Sequence, residues 1–252
     1  MHRQTVVPPP PPMALQRLVE ACRSSFDGSD TPPAADVVSF VCSMIDKIGP
    51  EDVALMDDVR FSNEINAGGH QNSPIITYKS IYECSNFTIT VFFLPQGAAM
   101  PLHDHPGMTV FSKLLVGSAH VVSYDWVCPR VCAVAGSSKS EMLAEKVLDR
   151  EFTSASGAWV LFPETGGNLH RFVAVKDGPC AFLDVITPRY SPTSETQQQF
   201  AFYKDFPYEL HPNVVHSELT EEQKRRLAWL QEIDEPEDLR ISNLPYRGPP
   251  IE

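Results

Sequence analysis

The segment PLHDHPGMTVFSKLLVG, residues 101–117, places two histidines two positions apart at the start of an apolar run. Successive side chains of a β-strand point to opposite faces, so His103 and His105 are predicted to share one face. Two neutral imidazoles on one face supply half of a metal site. A polar surface turn could contain the same letters, His-Asp-His-Pro-Gly. The rest of the chain must therefore decide between a metal site and a surface turn.

Short β-rich runs fill the chain around this segment, from about residue 75 to residue 187. They include FTITVFFL, TVFSKLLV, SAHVVSYDW and CAFLDVIT, and glycine or proline residues separate the runs. Many short strands with turn signals at this spacing predict a mainly β fold, either a barrel or a double-sheet jelly roll.

Helical patterns lie on both sides of the β-rich region. The segments MALQRLVEACRSSF and ADVVSFVCSMIDKIG have apolar residues at helical spacing, and the second ends at a glycine, Gly49. Further along the chain, Thr220 and Gln223 fit a capping box. A last helix is therefore predicted to begin at Thr220 and to continue through EEQKRRLAWLQEI.

Composition narrows the classes of partner. The net charge of -12 over 252 residues argues against general binding to nucleic acid, which needs basic patches. The same charge is compatible with a basic or cationic peptide partner. No apolar run is long enough to span a bilayer, and the start has no apolar core of signal-peptide length. We expect a monomer of the cytoplasm and nucleus, with no membrane partner.

The six cysteines are scattered along the chain. Cys128 and Cys132 are too widely spaced for a redox Cys-x-x-Cys motif, and no second pair completes a zinc knuckle. Free cysteine is often buried, so Cys128, Cys132 and Cys180 are expected in strands of the core. His120, in SAHVVSYDW, is expected in a pocket or in the core.

The first histidine pair belongs to a longer pattern. Gly97 is followed by five residues and His103, then by one residue and His105, and a predicted strand runs from there to Gly117. This spacing resembles the first motif of the cupin barrel family. The resemblance implies a double-stranded β-helix, which is a jelly-roll barrel.

A loose form of the second cupin motif is also present. Gly157 is followed by five residues and Pro163, and Gly167 by two residues and His170. In cupins the two motifs lie on neighbouring strands and direct their histidines into the barrel. The resemblance therefore implies a metal site formed by His103, His105 and His170.

The expected site has no carboxylate ligand. Cupins usually supply a glutamate shortly after the histidine pair, where this chain has Thr109 and Val110. Three neutral imidazoles differ from the facial triad of two histidines and one carboxylate. A divalent metal held by neutral ligands alone keeps its full charge, which favours an anionic ligand such as a thiolate. Ligand type does not by itself select iron, because three imidazoles also suit zinc, nickel or copper.

Asp184 stands in an otherwise apolar strand, on the face that it is predicted to share with Phe182 and Ile186. A carboxylate there is costly to bury unless it is paired. Either it lies at a strand end and faces water, or it lines the barrel mouth and can hold a substrate amine. Tyr190 follows at a turn, where its hydroxyl could bind oxygen or a substrate group, or the ring could only pack.

Several longer blocks narrow the resemblance further: LHDHPGMTVFSKLLVGS, GGNLHRF, LDVITPRYS, YKDFPY and AWLQEIDEPEDLRISNLPYRGPPI. From about residue 38 onward the chain resembles the plant cysteine oxidases, which are relatives of animal cysteamine (2-aminoethanethiol) dioxygenase. The resemblance implies an Fe(II)-dependent thiol dioxygenase that uses O2 to oxidise the N-terminal cysteine of target proteins, notably ethylene-response transcription factors, to the sulfinic acid.

By the same resemblance, the product enters the arginine branch of the N-degron pathway, and the enzyme senses oxygen in the hypoxia response. The resemblance makes His103, His105 and His170 the iron ligands. It makes Asp184 and Tyr190 residues of substrate binding and turnover. The chain also departs from the family, because Phe200 stands where many plant members align a cysteine. That difference puts substrate preference and rate in question and leaves iron binding untouched.

Three other functions remain open at this point. The enzyme could oxidise a small thiol of the cysteamine type. It could be a non-oxidative metal-binding cupin, such as an isomerase or a zinc hydrolase, or a metal-free cupin that serves as a binding module. For the domain organisation we expect a disordered proline-rich start over residues 1–12, a helical segment over 13–58, and the cupin thiol dioxygenase domain with its C-terminal helical extension over 59–252.

Overall fold

A computed structural model describes residues 13–67, 74–133, 140–175, 178–189, 200–211 and 219–252. The expected disordered start, residues 1–12, lies outside this part of the chain, and the division at residues 58 and 59 stays a prediction. The helices are α1 (Met13–Ser25), α2 (Ala35–Ile45), α3 (Leu55–Ala67) and α4 (Glu221–Arg226). Within the described ranges, none of them is long and apolar enough to cross a membrane.

Thirteen strands are distributed over the described residues. They are β1 (Ile76–Glu83), β2 (Thr88–Leu94), β3 (Ala99–His103), β4 (Thr109–Val116), β5 (Ser118–Trp126), β6 (Cys132–Ala133), β7 (Glu141–Thr153), β8 (Trp159–Leu161), β9 (Leu169–Ala174), β10 (Cys180–Thr187), β11 (Phe202–Pro207), β12 (Leu227–Ile233) and β13 (Ile241–Asn243).

The strands form two sheets that face each other. The first sheet has the order β13-β1-β2-β10-β4-β8, and the second has the order β12-β11-β3-β9-β5-β7-β6. From β2 onward the chain changes sheet at every step except β5 to β6, β6 to β7 and β11 to β12. This alternation confirms the mainly β, double-stranded β-helix predicted from the cupin motifs.

Helices α1 and α2 cover the outer face of the first sheet. Leu15, Leu18 and Ile45 pack there against alternate strand residues such as Val91 and Leu183. Because these strand residues are two apart along each strand, they leave the intervening side chains free to face the barrel interior. The helices therefore close the back of the sheet, and the interior is left to the site.

The second sheet closes on itself. β12 pairs antiparallel with both β11 and β7, so that β12, β11, β3, β9, β5 and β7 form a second ring of strands. Its interior is filled by side chains that point away from the first sheet: Leu102, Val122, Tyr124, Ala144, Leu169, Tyr203, Ala228 and Leu230. Strands β3 and β9 consequently have a packed core on both faces.

The last predicted helix is only partly correct. The capping box is present, because the Thr220 side chain accepts a hydrogen bond from the Gln223 N–H, but the helix ends at Arg226. The following segment, LAWLQEI, is strand β12 instead. Its side chains alternate between two cores, with Ala228 and Leu230 in one and Trp229 in another. Pairing with β11 and β7 satisfies both backbone edges, and this tertiary gain overrides the helical pattern.

The prediction for the cysteines is correct for Cys180, which is buried, and wrong for Cys128 and Cys132, which are exposed. The two cysteines are exposed for different reasons: Cys132 lies in β6, the strand at the edge of the second sheet, and Cys128 lies in a local bulge. Val127 N–H donates to the Leu143 carbonyl at 3.1 Å, and Leu143 N–H donates to the Val131 carbonyl at 2.8 Å. Because both ends of the segment bond to the same residue, the residues between them protrude from the sheet.

Candidate metal centre

The three predicted histidines converge inside the barrel. His103, on β3, is the direct cross-strand partner of His170, on β9. His105 follows the end of β3, and its ring centroid lies 5.0 Å from that of His103 and 5.1 Å from that of His170. One ring nitrogen of each histidine lies within 4.8 Å of the others. The arrangement can hold one metal ion.

Backbone carbonyls orient two of the rings. His103 Nδ1 lies 2.8 Å from the Pro101 carbonyl oxygen, and His170 Nδ1 lies 2.7 Å from the Asn168 carbonyl oxygen. A carbonyl accepts only, so each Nδ1 carries the proton and each Nε2 keeps its lone pair. Hydrogen bonds of this kind are how proteins orient histidine ligands toward a metal.

Asn168 connects the His105 loop to β9. Its Oδ1 accepts from the His105 backbone N–H at 2.7 Å, and its Nδ2 donates to the His105 carbonyl at 3.0 Å and to the Met108 carbonyl at 3.3 Å. These bonds fix His105, the one histidine of the three that lies outside a strand. Sequence reasoning missed Asn168, although it lies in the GGNLH block just before His170.

All three imidazoles are buried. Burial lowers the pKa of His103. It lowers the pKa of His105 and His170 well below the usual value, and the neighbouring imidazoles lower both further by repulsion. The rings are therefore neutral at pH 7, which is the form that binds a metal.

Asp104, between the two histidines, connects the ligand loop to the segment that leads into β11. Its Oδ1 accepts from the Ala201 N–H at 2.7 Å, and its Oδ2 accepts from the Tyr203 hydroxyl at 3.1 Å. Phe202 is the cross-strand partner of His103. Phe200, the residue that departs from the family, is half exposed and packs edge-on against Phe202, with ring centroids 5.5 Å apart.

A row of polar side chains crosses the inner face of the first sheet. Asp184, on β10, pairs with Thr90 on β2 and with Ser112 on β4, and Ser112 pairs with Trp159 on β8. Asp184 is 5% exposed, so the alternative of a strand-end residue in water is excluded. Asp184 lies on the predicted face of β10, the face that also carries Phe182 and Ile186.

This row faces the histidines. Ala174 and Cys180 lie in one cluster, and the rings of Phe172 on β9 and Phe182 on β10 stack at 4.7 Å between centroids. Strands β9 and β10 therefore run in opposite directions. The next inward side chain after Phe172 on β9 is His170, and the next after Phe182 on β10 is Asp184, so these two residues face each other. We name the residues at this level the polar layer: Thr90, Asp184, Ser112 and Trp159 from the first sheet, and His103, His170 and Ser123 from the second.

The polar layer lies between apolar levels. On the first sheet, Phe182 lies on one side of Asp184, and a cluster that includes Val110, Leu161 and Ile186 lies on the other. Burial raises the pKa of Asp184 to about 7, and a hydrogen bond from Ser112 Oγ to Asp184 Oδ1, 2.5 Å long, opposes the rise. Asp184 can therefore gain or lose a proton near neutral pH.

The residues present fit a divalent metal ion. They offer three neutral nitrogen donors, two of them oriented by hydrogen bonds, on one wall of a water-poor interior. Tyr190 lies outside the described residues, so its predicted role stays a prediction. His120 is not part of the centre: its side chain is 44% exposed and lies 2.8 Å from Asp149 Oδ1, so the expectation of a pocket or core position is wrong.

Comparison with known proteins agrees with this centre. Residues 44–251 match the PCO_ADO family. The chain is 38% identical to Plant cysteine oxidase 1 of Arabidopsis thaliana, over 95% of this chain and 80% of that protein. It is 29% identical to 2-aminoethanethiol dioxygenase of Mus musculus, over 94% of this chain and 96% of that protein.

Among solved structures, a conserved protein with a double-stranded β-helix domain from Klebsiella pneumoniae aligns with a TM-score of 0.31 and 15% identity, over 49% of this chain and 79% of that one. The family match covers far more of the sequence, and it includes both histidine motifs and the strand of Asp184. The chain therefore belongs to the PCO_ADO family and is an oxidoreductase of the thiol dioxygenase type.

Proposed function

We propose that this protein is an iron-dependent dioxygenase that oxidises the N-terminal cysteine of target proteins to cysteine sulfinic acid. The observation that carries the proposal is the polar layer, in which neutral histidines face a buried carboxyl group across the barrel. The three reacting groups need two kinds of partner. A metal held by the three histidines would have positions left for the thiolate and O2, and Asp184 offers a carboxylate for the amine.

His103, His105 and His170 are the proposed ligands of Fe(II). A bound ferrous ion would supply one-electron chemistry with O2 and would favour the thiolate form of the substrate. Zinc has no redox chemistry, so it does not suit a dioxygenase, although the same three nitrogens could bind it. The neutral ligand set leaves the positive charge of the metal available to the incoming thiolate.

The overall reaction balances without another reagent. One thiol and one O2 give one sulfinic acid, so both oxygen atoms end on sulfur. The sulfur atom loses four electrons and O2 gains four. No external reductant is required.

Asp184 is the proposed partner of the substrate amine. In its ionised form it accepts hydrogen bonds and balances the positive charge of a free N-terminus. Ser112 donates to Oδ1 and leaves Oδ2 for the amine. Tyr190 is proposed to act beside it in turnover, on the basis of the family resemblance alone.

The family resemblance suggests the biological setting. We propose ethylene-response transcription factors and other proteins with N-terminal cysteine as partners, the arginine N-degron pathway as the consumer of the product, and oxygen sensing in hypoxia as the role. We further propose that the protein acts as a monomer in the cytoplasm and nucleus.

The test is to incubate iron-loaded protein in air with a peptide that begins with cysteine, without added reductant, and to follow peptide mass. We expect a gain of two oxygen atoms on that cysteine, and no gain under nitrogen or after N-acetylation. Oxidation of cysteamine but not of the peptide would support the small-thiol alternative instead. Full activity with zinc in place of iron would support the non-oxidative cupin.

A further inference from the structure

We propose that Ser123 and Trp159 determine substrate specificity by donating hydrogen bonds to the first peptide carbonyl of the substrate. The inference rests on the proposed function and deepens it, because it explains how the site could distinguish a peptide from a small aminothiol. The two residues lie in the polar layer, on different sheets, and neither belongs to the proposed metal ligands or to the Asp184 pair.

Both side chains have an unsatisfied polar atom. Among the described residues, three buried side-chain nitrogen or oxygen atoms lack a hydrogen-bond partner: Ser123 Oγ, Trp159 Nε1 and Tyr246 Oη. Tyr246 packs against the helix-covered outer face of the first sheet. The other two lie in the polar layer. Buried polar groups are normally paired, so two unpaired atoms at the level of the metal centre indicate that a ligand completes them.

Their positions place them beside the reacting groups. Ser123, on β5, is the cross-strand partner of His170 and is 1% exposed. Leu114 on β4 and Val121 on β5 lie in one apolar cluster, on either side of the turn that joins the two strands. Ser112 and Ser123 are the next inward-facing residues away from that turn, so they lie opposite each other. Gly167 packs directly behind Ser123, because a Cβ added to Gly167 would lie 2.7 Å from Ser123 Cβ.

Trp159 is the last residue of the row of side chains that crosses the first sheet from Asp184 through Ser112. It is the cross-strand partner of Ser112, and its ring packs against Phe152 with centroids 4.4 Å apart. It also contacts the apolar cluster that includes Leu161 and Ile186, at the level next to the polar layer. The indole therefore lies between the apolar cluster of the barrel core that contains Phe152 and the apolar cluster that contains Leu161 and Ile186.

The chemistry of the two atoms selects the ligand group. An indole N–H can only donate, so its partner must be an acceptor, and a hydroxyl can donate as well. An N-terminal cysteine has an amine, which donates, and two acceptors near it: the thiolate and the first peptide carbonyl. The thiolate belongs at the metal and the amine at Asp184. The carbonyl is the group that remains, and cysteamine lacks it.

The test compares substrates that differ by this carbonyl. Ser123→Ala removes only the hydroxyl donor. Trp159→Phe removes the N–H donor together with part of the ring that packs against Phe152, so the comparison between substrates, and not the absolute rate, is the readout for this variant. Iron-loaded protein is assayed with a cysteine-initiated peptide, with cysteinamide and with cysteamine. We expect each variant to lower the kcat/KM ratio of peptide to cysteamine, and of cysteinamide to cysteamine, by about fivefold, which is the effect of one ordinary hydrogen bond.

Two readouts are independent of turnover. Peptide binding under nitrogen, followed by calorimetry, should weaken by about the same factor. The iron content of both variants should equal that of the wild type, and Ser123→Ala should also keep the wild-type Tm, because its deleted hydroxyl has no partner within the described residues. Trp159→Phe should lower the Tm, because it removes ring atoms that pack against Phe152. Ser118→Ala, at the other end of β5, and Trp126→Phe, on the opposite face of that strand, are the matched controls and should leave the ratios unchanged.

The outcomes separate the two proposals. Wild-type protein that oxidises cysteamine but neither the peptide nor cysteinamide would overturn the proposed substrate class, and this inference with it. Wild-type protein that oxidises the peptide, with ratios unaltered in both variants, would overturn only the roles of Ser123 and Trp159. An equal loss for all three substrates would have the same meaning, because a structural role affects every substrate alike.

Discussion

Asp184 and Ser112 are cross-strand partners on neighbouring strands, and Ser112 Oγ donates a 2.5 Å hydrogen bond to Asp184 Oδ1 in the interior of the barrel. The bond gives a buried carboxyl group one fixed partner. It also leaves that group near its titration point at neutral pH, because burial outweighs the hydrogen bond. Stability and activity should therefore both depend on pH through this one residue.

Asp184→Asn should make the free energy of unfolding of the metal-free protein less dependent on pH. The folded pKa of Asp184 is raised from 3.8 to about 7, so the folded state keeps a proton that the unfolded state has lost. The stabilisation of the folded state by protonated Asp184 is therefore complete below about pH 4 and is lost as the pH rises to 7. Between pH 5 and pH 8 the wild type should lose about 2–3 kcal/mol relative to the variant.

The measurement is the free energy of unfolding in urea at both pH values for both proteins. The neutral histidines also respond to pH, but they are common to both proteins, so the difference isolates Asp184. A difference that is the same at pH 5 and pH 8 would contradict the raised pKa.

Ser112→Ala should shift the acid limb of the pH profile of kcat/KM upward. Removal of the hydroxyl removes the one bond that lowers the pKa of Asp184. Because the ionised carboxylate is the form proposed to bind the substrate amine, activity should begin about one pH unit higher. Ser112→Thr keeps the hydroxyl and should retain the wild-type profile. An unshifted profile in the alanine variant would show that Asp184 does not set the acid limb.

His170→Ala should abolish both metal binding and thiol oxidation. One of three proposed ligands is lost, so the affinity for iron should fall by more than about a hundredfold, beyond the effect expected of an outer hydrogen-bonding residue. Iron content after purification and O2 uptake with a thiol are the measurements. His120→Ala, which removes a half-exposed imidazole outside the polar layer, is the control. Full iron occupancy without His170 would refute the ligand assignment.

Asn168→Ala should weaken metal binding without removing a ligand. The amide holds the backbone of His105 on both sides, so its loss frees one imidazole from its position. Outer hydrogen-bonding residues of this type typically contribute about 10- to 100-fold in metal affinity. A competition titration with a metal chelator measures the change. Asn243→Ala, in the exposed strand β13, is the control and should leave the metal affinity unchanged. Equal metal affinities for the two variants would show that the hydrogen bonds of Asn168 do not position His105.

Leu230→Ala should destabilise the fold by about 2–5 kcal/mol, as expected for a large-to-small change in a core. Leu230 is fully buried, and its strand pairs with β11 on one side and β7 on the other. Urea unfolding measures the change. Ile241→Ala, at an exposed apolar side chain of β13, is the control and should have little effect. A small effect at Leu230 would indicate that the second ring of strands contributes little to stability.

The sequence predicts those parts of the site that depend on periodicity along one strand. His103 and His170 appear at motif spacing, and Asp184 is assigned to the correct face because it is two positions from Phe182 and Ile186. A strand repeats every two residues, so one chain segment is enough to group its own inner side chains.

Residues that act across strands could not be predicted in this way. Ser112 and Ser123 belong to the polar layer only because of the register between separate strands, which no local pattern contains. The same reason applies to β12. The segment LAWLQEI has a good capping box before it. Its pairing with β11 and with β7, which lies about 80 residues away along the chain, makes it a strand.

The second ring of strands has a consequence for how the protein is made. All three histidines have been synthesised once residue 170 is in the chain, but β3 gains its neighbour β11 only later, and the ring closes only with β12 at Ile233. A nascent chain on the ribosome therefore contains every proposed ligand before the wall that carries them is complete. Metal loading should therefore follow completion of strand β12.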